Sequence, residues 1–329
     1  MLCLAKSFRT REDAELVPFN ENSFLIEGEC ENESGLSRHI GVLYSTTKGK
    51  QIKIDGKNLQ QFSKLIGQCP VVILSADDYS ITSGPPAHRR RFFNIFLSQS
   101  SNRYLDNLKN YEKVLKQRNT LLSEIADGHS ENRSQLDTWN TQLIRFGSQL
   151  MVSRQKMVER MNEFVQRYYK LITESETSFS VLYEPNVSFE DENQIPDRFA
   201  QKLKKVVRKE QLQGTSVVGP HRDEYIFKVG NSDLRRYGSR GEHKSVLVSL
   251  KAAEVQFLKQ STDIQPILLL DDLYAELDKE RSHRVLNLFE TQSQLFITGT
   301  SSDYAVINGI ESKSDNYTFF VKGGEIEQT

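Results

Sequence analysis

Two long stretches of heptad spacing in the middle of the chain limit its possible folds more than any other feature. Across residues 104–125, side chains of the seam recur alternately four and three positions apart, with Arg118 as the one polar member. The same spacing returns across residues 136–171, after a short polar segment. This pattern predicts two long helices, the second about 58 Å long if it spans residues 134–172. They form either an antiparallel coiled-coil hairpin or a helical subdomain packed on the body.

The segments on either side of these helices carry the patterns of strands and shorter helices. Asp55-Gly56 is typical of a hairpin turn, because glycine tolerates the positive φ that a tight turn requires. Towards the C-terminus, the predicted apolar strands at residues 225–229, 264–270 and 295–298 alternate with helices, which predicts a parallel sheet covered on both faces. Predicted strands occupy residues 24–26, 41–44, 51–54, 70–74, 178–183, 187–189, 225–229, 264–270 and 295–298, and predicted helices occupy residues 197–211, 242–259 and 279–290.

One α/β body interrupted by a helical insertion explains this order more simply than three independent domains. The expected fold class is therefore α/β, a mixed sheet with flanking helices and an inserted antiparallel helical or coiled-coil lobe. A β-rich part would take residues 1–86, the helical lobe residues 87–176, and the second part of the α/β body residues 177–329.

Composition excludes several classes of protein and favours a cytoplasmic location. The longest apolar run has five residues, far fewer than the roughly 18 of a membrane span, and the first residues lack a signal-peptide pattern. The three cysteines, Cys3, Cys30 and Cys69, are too few and too scattered for a disulfide framework or a zinc cluster. Net charge is −1, yet residues 198–209 carry six bases and no acid, which indicates a solvated helix face or a surface for a polyanion.

The most specific functional motif is the pair Asp271 and Asp272, which directly follows the apolar run 266–270. A buried strand that ends in two carboxylates is the pattern of a Walker B strand, and open α/β sheets bind ligands at that end of their strands. Asp271 could hold Mg²⁺, which prefers oxygen ligands, and Asp272 could orient or deprotonate a water molecule. The alternative is a strand that ends in two solvated aspartates.

Two further segments, together with the aspartate pair, have the order and spacing of motifs from ABC/SMC-type ATPases. Residues 237–244 precede a predicted helix and are similar to the ABC signature, which offers backbone N–H groups to an anion. Residues 274–278 follow the aspartate pair where the D-loop lies in such proteins, and Thr298 falls in the region of the switch residue. The candidate nucleotide-binding residues in these segments are Ser239, Arg240, Gly241, Glu242, Asp278 and Thr298.

With these residues, the chain resembles the RecF family of bacterial ABC/SMC-like ATPases over nearly its whole length. Arg9 matches the arginine-loop position of that class, and it joins the candidate nucleotide-binding residues through the resemblance. The string Gly219-Pro-His-Arg-Asp223 is the most distinctive single match, although a structural turn would also explain it. The other matching segments are residues 6–10, 75–78, 84–92 and 111–122.

One departure from the family pattern concerns the phosphate-binding loop. RecF proteins carry a Walker A loop whose glycines and lysine cradle the β- and γ-phosphates, and no G-x-x-x-x-G-K-[ST] string occurs in these 329 residues. We expect either that the sequence begins after this loop or that the chain is a degenerate family member. These residues alone should then bind ATP and Mg²⁺ poorly.

The resemblance implies an ATP-dependent homodimer that closes on single- and double-stranded DNA at gaps and junctions. It also implies partners of the RecR and RecO kind, a role in recombinase loading and the SOS response to DNA damage, and a cytoplasmic, nucleoid-associated location without membrane contact. Contacts with DNA phosphates would give only a weak preference for particular DNA sequences. Alternatives are a non-hydrolysing DNA-binding scaffold and another SMC-like repair or defence ATPase. The candidate DNA contacts are Arg89, Arg90, Arg91, Lys204, Lys205 and Arg208.

Overall fold

A computed structural model describes residues 1–8, 10, 12–31, 35–128, 133–272, 284, 286–289, 294–300 and 317–328. Within these ranges, no helix is both long and apolar enough to cross a membrane. The α-helices are α1 (Tyr79–Ser83), α2 (Pro86–Ser100), α3 (Asn102–Ala126), α4 (Arg133–Thr173), α5 (Ile195–Gln213), α6 (Leu234–Tyr237) and α7 (Arg240–Thr262). The strands are β1 (Ser23–Glu31), β2 (Ser37–Ser45), β3 (Gly49–Ile54), β4 (Lys57–Asn58), β5 (Val71–Leu74), β6 (Phe179–Glu184), β7 (Glu224–Val229), β8 (Ser232–Asp233), β9 (Ile267–Leu270), β10 (Leu295–Ile297), β11 (Phe319–Lys322) and β12 (Glu325–Gln328). The helix predicted over residues 279–290 lies mostly outside the described residues.

The N-terminal strands form an antiparallel sheet in the order β1-β2-β3-β4. Asp55 and Gly56 join β3 to β4 with φ angles of 49° and 76°, so the predicted hairpin turn is confirmed. The sheet buries Ile40, Val42 and Ile52 in a small core of its own. The β-rich N-terminal region predicted from sequence is therefore present.

A disulfide joins Cys30 on β1 to Cys69, which lies just before β5, across 39 residues of sequence. Cys3 is a free thiol. Cysteine spacing gave no sign of this single bond, because the two residues become neighbours only when the antiparallel sheet packs beside the start of β5.

The second sheet is parallel and has the order β10-β9-β5. Its centre is the apolar segment of β9, where Leu268 and Leu270 are buried, and α7 packs against the sheet through a mostly apolar surface. The prediction of a parallel sheet from apolar strands is confirmed for β5, β9 and β10. All three strands direct their carboxyl ends to one edge, and that edge carries the aspartate pair.

The predicted strand at residues 225–229 belongs to a different sheet. As β7 it pairs antiparallel with β6 and β8, so its assignment to the parallel sheet was wrong. Tyr225 and Phe227 alternate with more exposed neighbours, which is typical of a strand buried on one face. The predicted strand at residues 187–189 was also wrong. Val187 is buried, but these residues belong to no strand.

The two heptad stretches form α3 and α4, which lie side by side. Three cross-helix hydrogen bonds have opposed numbering: Tyr104 with Arg154, Asn107 with Gln149, and Arg118 with Asn140. The pair is therefore antiparallel, as predicted. However, α4 packs along its length on α7, β6 and α5, and its seam residues share one core with the parallel sheet. Of the two predicted alternatives, the structure shows the helical subdomain packed on the body.

Candidate nucleotide edge and nucleic-acid surface

Asp271, Asp272 and Thr298 meet where β9 and β10 end, and we call these three residues the carboxylate edge. The Thr298 hydroxyl donates to Asp271 Oδ1 at 2.7 Å and accepts from the Asp272 N–H at 3.1 Å. The Asp271 N–H donates to the Leu74 carbonyl at 2.8 Å, which links the edge to β5. Asp272 has a φ of 56°, a left-handed conformation that turns the chain sharply away from the strand. Sequence order had placed Thr298 near the two aspartates, and the structure brings all three together.

The donor atoms of the carboxylate edge suit a hard divalent cation. Asp271 is half-buried and Asp272 is exposed, so the pair lies near the surface of the sheet. In the described part of the chain, no group of three or more His, Cys, Asp or Glu side chains could hold a metal ion by itself. Mg²⁺ is commonly bound by one or two carboxylates together with water and substrate phosphates, and this arrangement is compatible with that mode.

The signature-like segment forms the first turn of α7. Ser239 is the N-cap: its hydroxyl accepts from the Glu242 N–H at 3.2 Å, and Glu242 Oε2 accepts from the Ser239 N–H at 2.8 Å. This reciprocal pair is a capping box, and the hydrogen bonds from Ser239 lower the pKa of Glu242. Arg240 is exposed and Gly241 is half-buried. The segment thus has the helix start that an anion site needs, with its hydroxyl engaged within the helix. Arg9 and Asp278 lie outside the described residues.

The distinctive string at residues 219–223 lies between the helical lobe and β7, with Gly219, Pro220 and Asp223 buried. Asp223 is fully buried, and its carboxylate accepts from Arg154 Nη1 at 2.7 Å, from the Tyr183 hydroxyl and from the Asn186 N–H at 2.7 Å. Arg154 also donates to the Pro220 carbonyl at 2.6 Å. We call these five residues the Asp223 hub. The structure thus gives this string a role in packing.

His221 extends this network of hydrogen bonds to Tyr111 on α3. Its Nδ1 lies 2.6 Å from the Tyr111 hydroxyl and its Nε2 lies 3.2 Å from the Ser216 carbonyl. Burial, with smaller effects from nearby arginines, lowers the pKa of His221 to about 4. Gly219 has a φ of 131°, and a Cβ at that position would lie 2.4 Å from the Tyr111 hydroxyl, so only glycine fits here.

The six candidate DNA contacts fall into two groups. Arg89 is 3% exposed, and its guanidinium donates to Glu224 and to the Gly84 carbonyl, so we withdraw it from the candidates. The helical period of α2 turns this arginine inward with the phenylalanines of the core. Arg90 is half-buried and donates to the Asp223 carbonyl, whereas Arg91 is exposed. On α5, by contrast, the exposed bases form one surface and comprise Lys204, Lys205, Arg208 and Lys209.

A buried ionic cluster was missed by the sequence analysis. Lys251 on α7 lies between Asp78 and Glu254, and it is only 5% exposed. The sequence signal was weak, because one lysine within a helix looks the same whether it faces solvent or the core. The role of Lys251 depends on Asp78, which lies in the turn after β5.

The fold and the carboxylate edge define this chain as a head of the ABC/SMC ATPase type with an inserted helical lobe. Curated relatives then identify the family. The "DNA replication and repair protein RecF" of Latilactobacillus sakei subsp. sakei is 32% identical over 305 residues, covering 92% of this chain and 81% of the relative. The RecF of Lachnoclostridium phytofermentans is 36% identical over 310 residues, covering 93% and 82%. The chain belongs to the RecF family.

A solved structure agrees with this assignment at the level of fold. It is described as the "recombination mediator protein RecF-ATPrS in RecFOR pathway", and it matches 99% of this chain and 86% of its own with a TM-score of 0.88 at 24% identity. The structure described as RecF-ATP in the same pathway matches equally well, with a TM-score of 0.88. No protein-family model matches the chain.

Proposed function

We propose that this RecF-family chain acts in DNA replication and repair as a DNA-binding protein whose grip on DNA is controlled by ATP. The observation that carries the proposal is the carboxylate edge, where Thr298 joins both aspartates at the carboxyl ends of parallel strands. Ligands of open α/β sheets bind at this edge. The solved RecF structures described as ATP and ATPrS forms support the choice of ligand.

The residues present fit one part of a nucleotide site. Asp271 would hold Mg²⁺, and Asp272 would orient water towards the γ-phosphate. In a homodimer, Ser239 and the first turn of α7, with Arg240, Gly241 and Glu242, would face the γ-phosphate bound by the second copy. Bound Mg²⁺-ATP would supply a polarised phosphoryl group. The phosphate cradle has no counterpart in residues 1–329, since no Walker A string occurs there.

The DNA surface in this proposal is the exposed face of α5. Lys204, Lys205 and Arg208 are exposed on one helix, and such side chains bind phosphates without reading base sequence. DNA gaps and junctions, a second copy of the chain and RecR/RecO-type mediators would be the partners. In this proposal the protein supports recombinase loading and the SOS response. It would act in the cytoplasm, associated with the nucleoid. The RecFOR pathway named for the matching structures supports this setting.

A salt titration of DNA affinity tests the proposal. Reversal of Lys204 and Lys205 to Glu should weaken duplex and single-stranded DNA binding alike. It should also make the slope of log K against log salt shallower by roughly 1.4 to 1.8, because each lost phosphate contact contributes about 0.7 to 0.9. The matched control reverses Lys48 and Lys57, two exposed lysines of the N-terminal sheet, and should leave the slope unchanged.

The same titration separates the proposal from its alternative. A non-hydrolysing DNA-binding scaffold is the second candidate, and the lack of a Walker A string in these residues favours it. Because no Walker A string occurs in residues 1–329, this comparison uses a chain extended at its N-terminus by a family-type Walker A segment. Control by ATP predicts that Mg²⁺-ATP raises the DNA affinity of that chain, and that Asp271→Asn removes this increase. The scaffold predicts the same affinity with and without Mg²⁺-ATP. An unchanged salt slope in the Lys204/Lys205 variant would exclude α5 as a major DNA contact.

A further inference from the structure

The buried cluster on α7 is the largest unexplained group of charges in the described residues. The Lys251 ammonium lies 3.6 Å from Asp78 Oδ2 and 3.5 Å from Glu254 Oε2, with the Phe92 ring centroid 4.9 Å away. Glu254 is 3% exposed. Buried charges are costly unless they are well paired, and here one cation faces two carboxylates. Burial accordingly raises the pKa of Glu254 to about 7.

A continuous series of polar contacts runs from this cluster to the carboxylate edge. Asp78 Oδ2, which faces Lys251, also accepts from the Ser75 N–H at 3.0 Å. Ser75 directly follows Leu74, the last residue of β5. The Leu74 carbonyl in turn accepts from the Asp271 N–H at 2.8 Å. Every step between the α7 lysine and the Asp271 backbone is thus a direct contact or a peptide bond.

The other direction along α7 leads to the signature-like turn. Lys251 stands twelve residues after Ser239 on one helix, about 18 Å along its axis. A helix of this length moves as a rigid element, so a shift of its first turn is transmitted to Lys251. The cluster is therefore the contact through which a shift of α7 would reach the loop that leads to Asp271.

We infer that Lys251 is a positioning residue that couples the orientation of α7 to the position of Asp271 through Asp78. The inference rests on the proposed function in one respect, since that function assigns Ser239 and Asp271 to two nucleotide half-sites. In the proposed dimer, Ser239 faces the nucleotide of the second copy and Asp271 faces its own. Lys251 would then communicate occupancy of one half-site to the other.

Hydrogen–deuterium exchange on residues 1–329 tests the coupling without nucleotide. Lys251→Met removes the charge and keeps most of the apolar stem, so exchange of the Ser75 and Asp271 amides should accelerate about tenfold, while amides of β6 and β7 stay protected. Lys251→Arg should restore slow exchange at both amides. Lys113→Met, the same change on the exposed face of α3, is the matched control and should have no effect.

A second variant covers the case in which Lys251→Met fails to fold. Asp78→Asn keeps an oxygen that can accept from Ser75 but loses the charge that faces Lys251, and it should accelerate exchange at Asp271 in the same direction. Unchanged exchange at Asp271 in a folded variant would overturn the coupling, as would acceleration spread evenly over β6 and β7. If the amides respond as expected but Mg²⁺-ATP leaves DNA affinity unchanged, the coupling stands and the proposed ATP control fails.

Discussion

The Asp223 hub and the carboxylate edge show the same residue type in opposite surroundings. Asp223 is fully buried and accepts hydrogen bonds from Arg154, Tyr183 and Asn186. Asp271 is half-buried at the end of β9, where its carboxylate receives the Thr298 hydroxyl. Both aspartates end strings that stand out in the sequence. The Asp223 carboxylate is buried and hydrogen-bonded within the protein, whereas the Asp271 side chain lies partly at the surface.

This difference shows that a distinctive string does not by itself indicate a functional site. Gly219-Pro-His-Arg-Asp223 is distinctive because several geometric demands fall on five consecutive residues, among them a left-handed glycine and a buried carboxylate. A buried ion pair gives little net stability, but removal of one partner is costly because the other charge stays buried. The hub therefore holds the helical lobe on the body, whereas the carboxylate edge lies at the end of the parallel sheet, where we propose that it takes part in nucleotide binding.

The largest expected effect is that of Asp223→Asn. The amide would still accept from the Asn186 N–H, but the Arg154 guanidinium would remain buried without its countercharge. We expect a loss of about 3–5 kcal/mol in the free energy of unfolding, measured by urea denaturation at pH 7. A loss below about 1 kcal/mol would show that the hub does not hold the lobe and would break the comparison.

His221, which lies beside the hub, should make the stability of this region depend on pH, with a smaller effect than Asp223→Asn. Its pKa is about 4 in the folded chain and near 6.5 in the unfolded chain, so the folded state favours neutral imidazole. Its contribution is fully present above pH 6.5 and is lost as the pH falls towards 4. Wild type should therefore lose about 3 kcal/mol more than His221→Gln between pH 7 and pH 4. Parallel pH profiles of urea denaturation for the two proteins would contradict this assignment.

Much of the fold could be predicted from the sequence because its elements have strong local patterns. The heptad spacing gave both long helices, and the apolar run before Asp271 gave β9. Sequence could not settle whether the helices project or pack, because solvent-facing and body-facing polar residues look alike. Arg154 of the hub, for example, lies between the seam residues Leu150 and Met157, and only the tertiary structure shows that this charged side chain faces the body.

The candidate site was predicted less completely than the fold. The neighbourhood of Asp271 and Thr298 followed from the order of apolar strands, since the carboxyl ends of parallel strands share an edge. Arg89 was misassigned because a run of three arginines hides which one faces inward. The sequence signal for Lys251 was weak, because its role depends on Asp78, which lies far away in the chain. Contacts between distant segments, unlike local periodicity, require the tertiary structure.

The smallest expected effect, Asp271→Asn, sharpens the comparison because the same substitution is made at the other aspartate. The new amide oxygen can still accept from the Thr298 hydroxyl, and the half-buried position leaves no charge stranded in the core. We expect a change within about 0.5 kcal/mol in the free energy of unfolding, as at other surface sites. Urea denaturation of both asparagine variants under one set of conditions measures the contrast directly. Equal losses at Asp223 and Asp271 would mean that the carboxylate edge is as much a structural element as the hub, and this result would argue against its proposed role in holding Mg²⁺.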